Sequence, residues 1–445
     1  MNALDLDAIR PCLEGAIPGV IATCGGDGVP NVTYVSQVEY VGARQLALSF
    51  QFFNKTRRNV LANPQVELLV VHPAHGATYR IGARFLRTES EGPLFERMKA
   101  KLAGIASHTG MAEVFRLRGA DLYAVDSVTE VAAPRGPAAA PAPSPLSSLR
   151  RASERLAACT DFDALVETLL DAVVQEFGLP HAQLLVWEPS RERLVTLASR
   201  GYGRSGVGAE IPLGEGVIGV AARTGSPIRI NHATLEYAYA RRVREGLDPA
   251  QLGREIPLPG LAEPGSQLAL PLQTGGQLQG VLFVESPEEL RLSWDDEDAL
   301  VALAGQAAAL VRALQPQSDE EGAAPPLAQP ADCPLGGEPL RVRYYAADSS
   351  VFLDDEYLIK GVAGAVLWKL LRLHHEAGRC EFSNRELRLD PELGLPEVGD
   401  NLEARLLLLT RRLAERQACV RLERCGRGRL RLLVERPLQL QGVGR

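Results

Sequence analysis

The sequence predicts a multidomain α+β protein in three blocks: an antiparallel β-barrel or sandwich, a mixed α/β block, and a small helical block closed by a hairpin. Residues 131–147 are almost only Ala, Pro and Ser, and residues 316–339 are similar but acidic. Neither composition can bury a core, and the prolines favour extended, semi-rigid spacers. What remains is 1–130, 148–315 and 340–437, a division of the 445 residues that suits domains of about 150 residues. Hydrophobic patterning then assigns the blocks. The first has short runs between Gly, Pro and Asn turns, the second mixes strands with long amphipathic helices, and the third places helices before two short alternating runs.

Composition narrows the class. Hydrophobic residues are 46% and charged residues 23%, which suits a folded chain. A net charge of −7 gives no global basic field to draw the molecule onto nucleic acid. No run of about 18 uncharged apolar residues exists, so no membrane-spanning helix is expected. The start, MNALDLDAIRPCLEG, lacks a signal-peptide pattern. The seven cysteines include no CxxC and are odd in number, so a reducing cytoplasm is expected rather than a disulfide framework or a zinc knuckle. Block one carries 13 Lys and Arg against 13 Asp and Glu, block two 15 against 22, and residues 340–445 carry 19 against 15. Residues 401–445 alone carry 11 against 4, so an anionic partner is plausible only at that end.

In block one, strands are expected at 19–23, 31–41, 45–50, 66–71, 78–88 and 122–128, with a helix at 92–107. The informative stretch is SFQFFNKTRRN, Ser49 to Asn59. It ends a strand and opens a helix with Lys55, Thr56, Arg57 and Arg58 in the first turn. Helix starts favour acids, because the dipole there is positive. Cations at that place fit either a bound anion, held by free backbone N–H groups and the side chains, or a solvated basic turn. His72 and His75 flank a proline turn with no third ligand, so no metal is expected. His108, in the run Ala106 to Met111, either faces a ligand or ends a helix.

The order of strand, NKTRRN, short helix and NPQVELLV (Asn63 to Val70), with GVPNV (Gly28 to Val32) after the first strand, resembles the FMN-binding split-barrel family of pyridoxamine-phosphate-oxidase type. The resemblance covers residues 12–128. It implies an antiparallel split β-barrel, FMN as cofactor and a homodimer with the flavin at its interface. By that resemblance Lys55, Thr56 and Arg57 hold the phosphate with Arg58 in the same turn, and Ser49 and Gln51 line the ring. Arg80, on a following strand, is a further cofactor-binding candidate.

In block two, residues 148–178 read as one long amphipathic helix through Leu149, Ala152, Leu156, Leu165, Val166, Leu169 and Val173. Strands follow at 182–187 and 193–199, a strand pair at 267–272 and 279–286, and a closing helix at 294–314. LGEGVIGVAARTGSP (Leu213 to Pro227) and its companion pattern from Ser266 to Leu282 resemble the GAF domain family over residues 150–314. The glycines allow the turn before a short helix at 216–224 and its close approach to the sheet. The resemblance implies a GAF α/β sandwich that either binds a small molecule, whose identity is unknown, in a pocket over the sheet, or serves only as a dimer spacer. The pocket would be lined by residues 200–205 and 230–239. Tyr237, Tyr239, Arg241 and Arg242 either read a polar ligand or form a solvated helix face. No cysteine lies there for a bilin, and the cyclic-nucleotide signature is missing.

In block three, strands at 341–345 and 351–353 precede helices at 360–376, from Ser383 (a capping box, SNRE) and at 400–417. A hairpin at 419–423 and 429–434 turns at CGRG, Cys425 to Gly428. That order resembles the C-terminal winged helix of response-regulator transcription factors. By that resemblance the DNA-binding residues are Arg411, Arg412 and Arg416 on the reading helix and Arg424, Arg427 and Arg429 at the wing, and the partner is double-stranded DNA. Leu402, Leu406, Leu409 and Leu413 share one face and must be core, which points Arg411 outward. Leu407 and Leu408 also point away from that stripe, which suits a protein partner or a dimer contact instead.

No nucleophile–base pair, carboxylate pair or metal cluster stands out, so no catalytic residue is assigned. The function expected is a cytoplasmic sensory regulator with flavin or small-molecule sensing and DNA-binding output. The alternatives are an FMN-dependent oxidoreductase regulated by the GAF block, with the winged helix as a docking module, and a scaffold whose sensor domains have lost their ligands.

Overall fold

The computed structural model describes residues 4–13, 17–35, 37–50, 55–108, 117–133, 144–231, 256–314, 337–393, 402–426 and 428–443. The N-terminal part opens with a 3-10 helix (Asp7–Leu13), followed by β1 (Gly19–Cys24), β2 (Pro30–Val35), β3 (Val38–Gly42), β4 (Gln45–Phe50), α1 (Lys55–Ala62), β5 (Gln65–Val71), β6 (Thr78–Glu89), α2 (Pro93–His108) and β7 (Gly119–Ala132). Its strands form one antiparallel sheet in the order β2-β1-β5-β6-β7-β4-β3. The single strand expected at 31–41 is two strands at opposite ends of that sheet: β2 pairs with β1 and β3 with β4. Leu6, Ile9 and Leu13 are buried against Ile21, Leu68 and Ile81, so the opening turn plugs the barrel core, a role the sequence did not reveal.

The middle part contains α3 (Pro145–Ala157), α4 (Phe162–Phe177), β8 (His181–Glu188), β9 (Arg193–Arg200), β10 (Glu210–Pro212), α5 (Gly216–Thr224), β11 (Ile228–Ile230), β12 (Ser266–Thr274), β13 (Gln277–Ser286) and α6 (Trp294–Ala313). The sheet order is β10-β9-β8-β13-β12-β11. The one long helix expected at 148–178 is two. Asp161 takes an extended backbone and its carboxylate accepts the Ala164 N–H, a cap that restarts the helix. Period-two alternation in β8 sends Leu184 and Val186 to the face under α3, α4 and α6, and Leu185 to the face under α5.

The C-terminal part has β14 (Leu340–Tyr345), β15 (Ser350–Leu353), β16 (Glu356–Ile359), α7 (Gly361–Ala377), β17 (Glu381–Ser383), α8 (Asn384–Arg388), α9 (Leu402–Glu415), β18 (Val420–Gly426), β19 (Arg429–Val434) and β20 (Leu438–Val443). Two small sheets result, β16-β15-β14-β20 and β17-β19-β18. β20 lies past the boundary expected at 437 and pairs in parallel with β14, Leu340 opposite Leu438. The alternation LQLQ at 438–441 was its signal. Among the described residues, no helix is long and apolar enough to cross a membrane.

The three parts touch directly. One continuous apolar core runs from Leu165 and Leu303 of the middle part into Leu367, Leu409 and Leu432 of the C-terminal part. The barrel docks on the middle part through α2, whose Ala100 is buried with Val217, Val220 and Ala221 of α5. At that junction three cations surround the Trp294 ring: Arg229 at 4.4 Å, Lys101 at 4.5 Å and Arg10 at 5.0 Å from its centroid. Lys101 also reaches the buried Glu39 at 3.1 Å, and Arg229 pairs with Glu297 at 2.6 Å. Burial alone would raise the Glu297 carboxyl; Arg229, Lys101 and Arg97 outweigh it and hold the group below the usual carboxylate range.

A depressed folded pKa contributes stability that is present above the unfolded value, about 4.3, and is lost as pH falls through the folded value. Acid titration followed by tryptophan fluorescence should therefore show the barrel junction loosening below about pH 4.3, with Glu297→Gln removing that acid limb.

Candidate functional site

The basic turn of the barrel is the first candidate. Asn59 Nδ2 donates to Thr23 Oγ1 at 3.2 Å and Asn31 Nδ2 to Thr56 Oγ1 at 2.8 Å, which fastens α1 to β1 and β2. Arg57 is committed to the barrel rather than to a ligand. Its guanidinium donates to Asp121 at 2.7 Å and to Thr88 Oγ1 at 2.6 Å, and lies 4.7 Å over the Phe50 ring. Burial pushes the Asp121 carboxyl up, against Thr88 and Arg57, which pull it down. Lys55 and Arg58 are exposed, and no described acid pairs with either. The first turn of α1 carries no acidic residue. Its free N–H groups, Lys55, Thr56 and Arg58 thus form a donor set that fits a phosphate dianion.

Ser49 belongs to the same end of the barrel, since it pairs with Ala120, the neighbour of Asp121. Gln51 lies outside the described residues. Arg80 does not join the set within one chain. It sits eight residues along β6 from Thr88, the Arg57 partner, or roughly 25 Å of strand at about 3.3 Å per residue. The His72 and His75 rings stack at 3.6 Å, and each Nδ1 accepts a backbone N–H, from Ala74 and Ala77. Burial, then His75, hold His72 below the ordinary imidazole value. Among the described residues, no three metal-ligating side chains cluster. The side chain of His108 is outside the described set.

The second candidate is the α5 face of the middle sheet. Gly214 has φ 85°, which only glycine adopts readily, and a Cβ on Gly219 would lie 2.4 Å from Pro212 O. Beyond the apolar patch under α5, the same face carries polar side chains. His181 lies opposite Glu285 and Glu285 opposite Gln267, one row across β8, β13 and β12. Gln183 and Glu285 are almost fully buried. Gln183 Nε2 donates to Pro259 O at 2.8 Å, Gln267 Nε2 to Glu285 at 3.2 Å, and Leu261 N to the other Glu285 oxygen at 2.8 Å. With both amide nitrogens donating to oxygens, Gln183 Oε1 and Gln267 Oε1 are buried acceptors with no partner among the described residues. The described part of the row thus presents acceptors that suit donor groups. Sequence reading missed this row, although the alternation of His181, Gln183, Leu185 and Trp187 carried it. Tyr237, Tyr239, Arg241 and Arg242 fall outside the described residues. Arg200 turns away from the row toward Glu167 and Asp171.

The third candidate is α9. Its leucine stripe, Leu402, Leu406, Leu409 and Leu413, is buried, and so are Leu407 and Leu408, which were expected to be exposed. Their cover is the middle part of the same chain: Leu408 lines a small cavity with Val195 and Gly208. Arg411 does point away from the stripe, but toward Asp163 and Glu167 rather than solvent. Arg412 is buried and donates to Leu358 O and to Glu415. Arg416 pairs with Glu356 and Arg424 with Glu403. Arg427 lies outside the described residues. Arg429, half-buried on β19, has no ion pair among them.

Residues 6–126 match the family model described as pyridoxamine 5'-phosphate oxidase, and residues 159–312 match the GAF domain model. Among solved structures, the GAF domain of an Acinetobacter phosphoenolpyruvate-protein phosphotransferase is 20% identical, covering 38% of this chain and 95% of its own, with a TM-score of 0.30. An FMN-binding protein from Syntrophomonas wolfei is 18% identical over 29% of this chain and 93% of its own, with a TM-score of 0.24. A free methionine-R-sulfoxide reductase from Neisseria meningitidis is 18% identical over 39% and 94%, with a TM-score of 0.31. No curated protein matches the chain. The chain thus carries a split-barrel domain of the pyridoxamine-phosphate-oxidase type and a GAF domain.

Proposed function

We propose that the protein is a cytoplasmic sensory regulator: the barrel holds FMN, the GAF domain takes a small donor-bearing molecule, and a C-terminal winged helix acts on duplex DNA. The observation that carries this reading is the direct packing of the GAF domain on both neighbours, by α5 against α2 and by the shared core against α9. A barrel packed on a GAF domain that is itself packed on the output domain can bias its state without relying on the spacers.

FMN would be held at its phosphate by Lys55, Thr56, Arg58 and the start of α1, while Arg57 fixes the turn through Asp121. Bound there, the flavin supplies reversible electron uptake. The barrel also exposes an apolar outer row next to that turn. Tyr34 (76% exposed), Val20 and Leu69 lie side by side on β2, β1 and β5, with Val32 and Leu61 nearby and exposed. A second copy of the chain is the partner that suits this row, which supports a homodimer.

Absorbance of the purified protein, with mass spectrometry of what heat releases, tests the flavin. Oxidised-flavin bands that fall at least tenfold in Lys55→Ala/Arg58→Ala, in a protein sedimenting as two chains, are expected. A colourless protein that takes up no added FMN overturns the barrel reading. The second reading, an FMN-dependent oxidoreductase with the C-terminal domain as a protein-interaction module, is favoured by the ion pairs that already occupy Arg411, Arg412 and Arg416. Turnover of reduced nicotinamide by the flavin-loaded protein would select it.

A further inference from the structure

We infer that the GAF domain latches α9, and that the latch is built on the back of the wall of its own ligand face. The inference rests on the winged-helix reading for what α9 does when free, but not for the latch itself.

The contacts converge on one seam. Arg411 Nη2 of α9 donates to Asp163 at 2.8 Å and to Glu167 at 2.5 Å, both on α4, and Nη1 donates to Leu197 O on β9 at 3.2 Å. The other oxygen of Glu167 takes Arg200, at the end of β9, which also donates to Asp171 at 2.9 Å. Five residues on, Ser205 donates to Glu415 at the end of α9. Ser199 Oγ ties the same loop by donating to Ser205 O at 2.7 Å. One short segment, 197–205, therefore grips both the outward arginine and the last turn of α9.

The other side of that segment faces inward. Tyr202 lies 5.4 Å from the His181 ring, and His181 is the first member of the polar row that continues through Glu285 and Gln267. A molecule seated on the row meets His181 and Tyr202, and Tyr202 is two residues from Arg200 and three from Ser205, which bonds the end of α9. Arg411 points away from the leucine stripe of α9 and out of its own domain, as the buried Arg405 does toward Glu188 and Trp187 O. While Arg411 sits on Asp163 and Glu167 it cannot meet a phosphate or a base edge.

The strength of the latch suits a switch. Asp163 and Glu167 are half-exposed, so their pull on Arg411 is modest and screened by salt. The adjoining Leu407 and Leu408 are buried, so release exposes apolar surface and the free state is the minor one. A ligand shifts that balance only as far as its affinity differs between the two states.

The test uses the full chain. Asp163→Asn/Glu167→Gln removes the carboxylate charges on the half-exposed face of α4 and leaves the core alone. Amide hydrogen exchange over 402–415 should rise at least tenfold, with 361–377 unchanged, and affinity for a mixed-sequence duplex DNA should rise severalfold. Arg411→Ala should raise the exchange equally without the gain in duplex affinity. Salt added to the unmodified protein should raise exchange over 402–415 first, which keeps the test open if a variant fails to fold. Unchanged exchange in the charge variants and in salt overturns the latch. Increased exchange with no duplex affinity in any variant upholds the latch and overturns the DNA-binding reading.

Discussion

Arg405→Ala should destabilise the GAF and C-terminal domains together by about 3–5 kcal/mol, because it strips one partner from a buried ion pair. Arg405 is 1% exposed on α9. Its guanidinium lies 3.7 Å from the Glu188 carboxylate and donates to Trp187 O at 3.2 Å. Glu188, also buried, accepts the Val362 N–H at the start of α7, so it joins β8 to α7 and α9. Alanine leaves that carboxylate in the seam with its main cation gone. The double variant Glu188→Gln/Arg405→Met should recover much of the loss, since replacing both charges avoids stranding either one. Urea unfolding, with midpoint and slope compared across the three proteins, gives the result. Equal losses in single and double variants would show that packing volume, not charge, sets the cost.

Trp294→Ala should be as damaging, at about 3–5 kcal/mol for a buried large aromatic, and its effect should be spatially different. The ring separates Arg10 and Lys101 of the barrel from Arg229 of the GAF domain, and it is the surface on which all three cations rest. Removing it leaves cations close to one another with the acids Glu39, Glu297 and Asp298 as their remaining partners. The barrel should then unfold or detach independently of the rest. Calorimetry should show one transition in the unmodified protein split into two, and scattering should show a larger radius for the variant. A single transition shifted as a whole would place the cooperative link elsewhere.

Much of this architecture was legible in the sequence, for a physical reason. Alternation and 3.6-residue periodicity record which side of an element is dry, so the strands at 45–50, 66–71 and 78–88 and the helix at 216–224 fall where those patterns put them. The motif glycines Gly214 and Gly219 record backbone demands as directly. Periodicity does not record what covers a face. Leu407 and Leu408 signalled a protein surface in contact with α9, but nothing in the local sequence said that the surface was the chain's own GAF domain. Arg411 was placed on the correct side of its helix, and its acidic partners lie more than 240 residues earlier. The basic turn shows the same limit. Four consecutive polar side chains marked the candidate turn, while the pairing of Arg57 with Asp121 required the strand register. The expected 31–41 strand and 148–178 helix failed at their middles, where a crossover and the Asp161 cap interrupt patterns that are apolar on both sides.

The seams on both sides of the GAF domain change what the two proline-rich spacers contribute. Domains that already meet through buried ion pairs and a shared core do not need a stiff rod to transmit force. Because the parts belong to one chain, whatever lies between β7 and α3 and between α6 and β14 keeps each part within reach of its seam. Closing either seam is therefore an intramolecular event, governed by effective concentration and independent of how much protein is present.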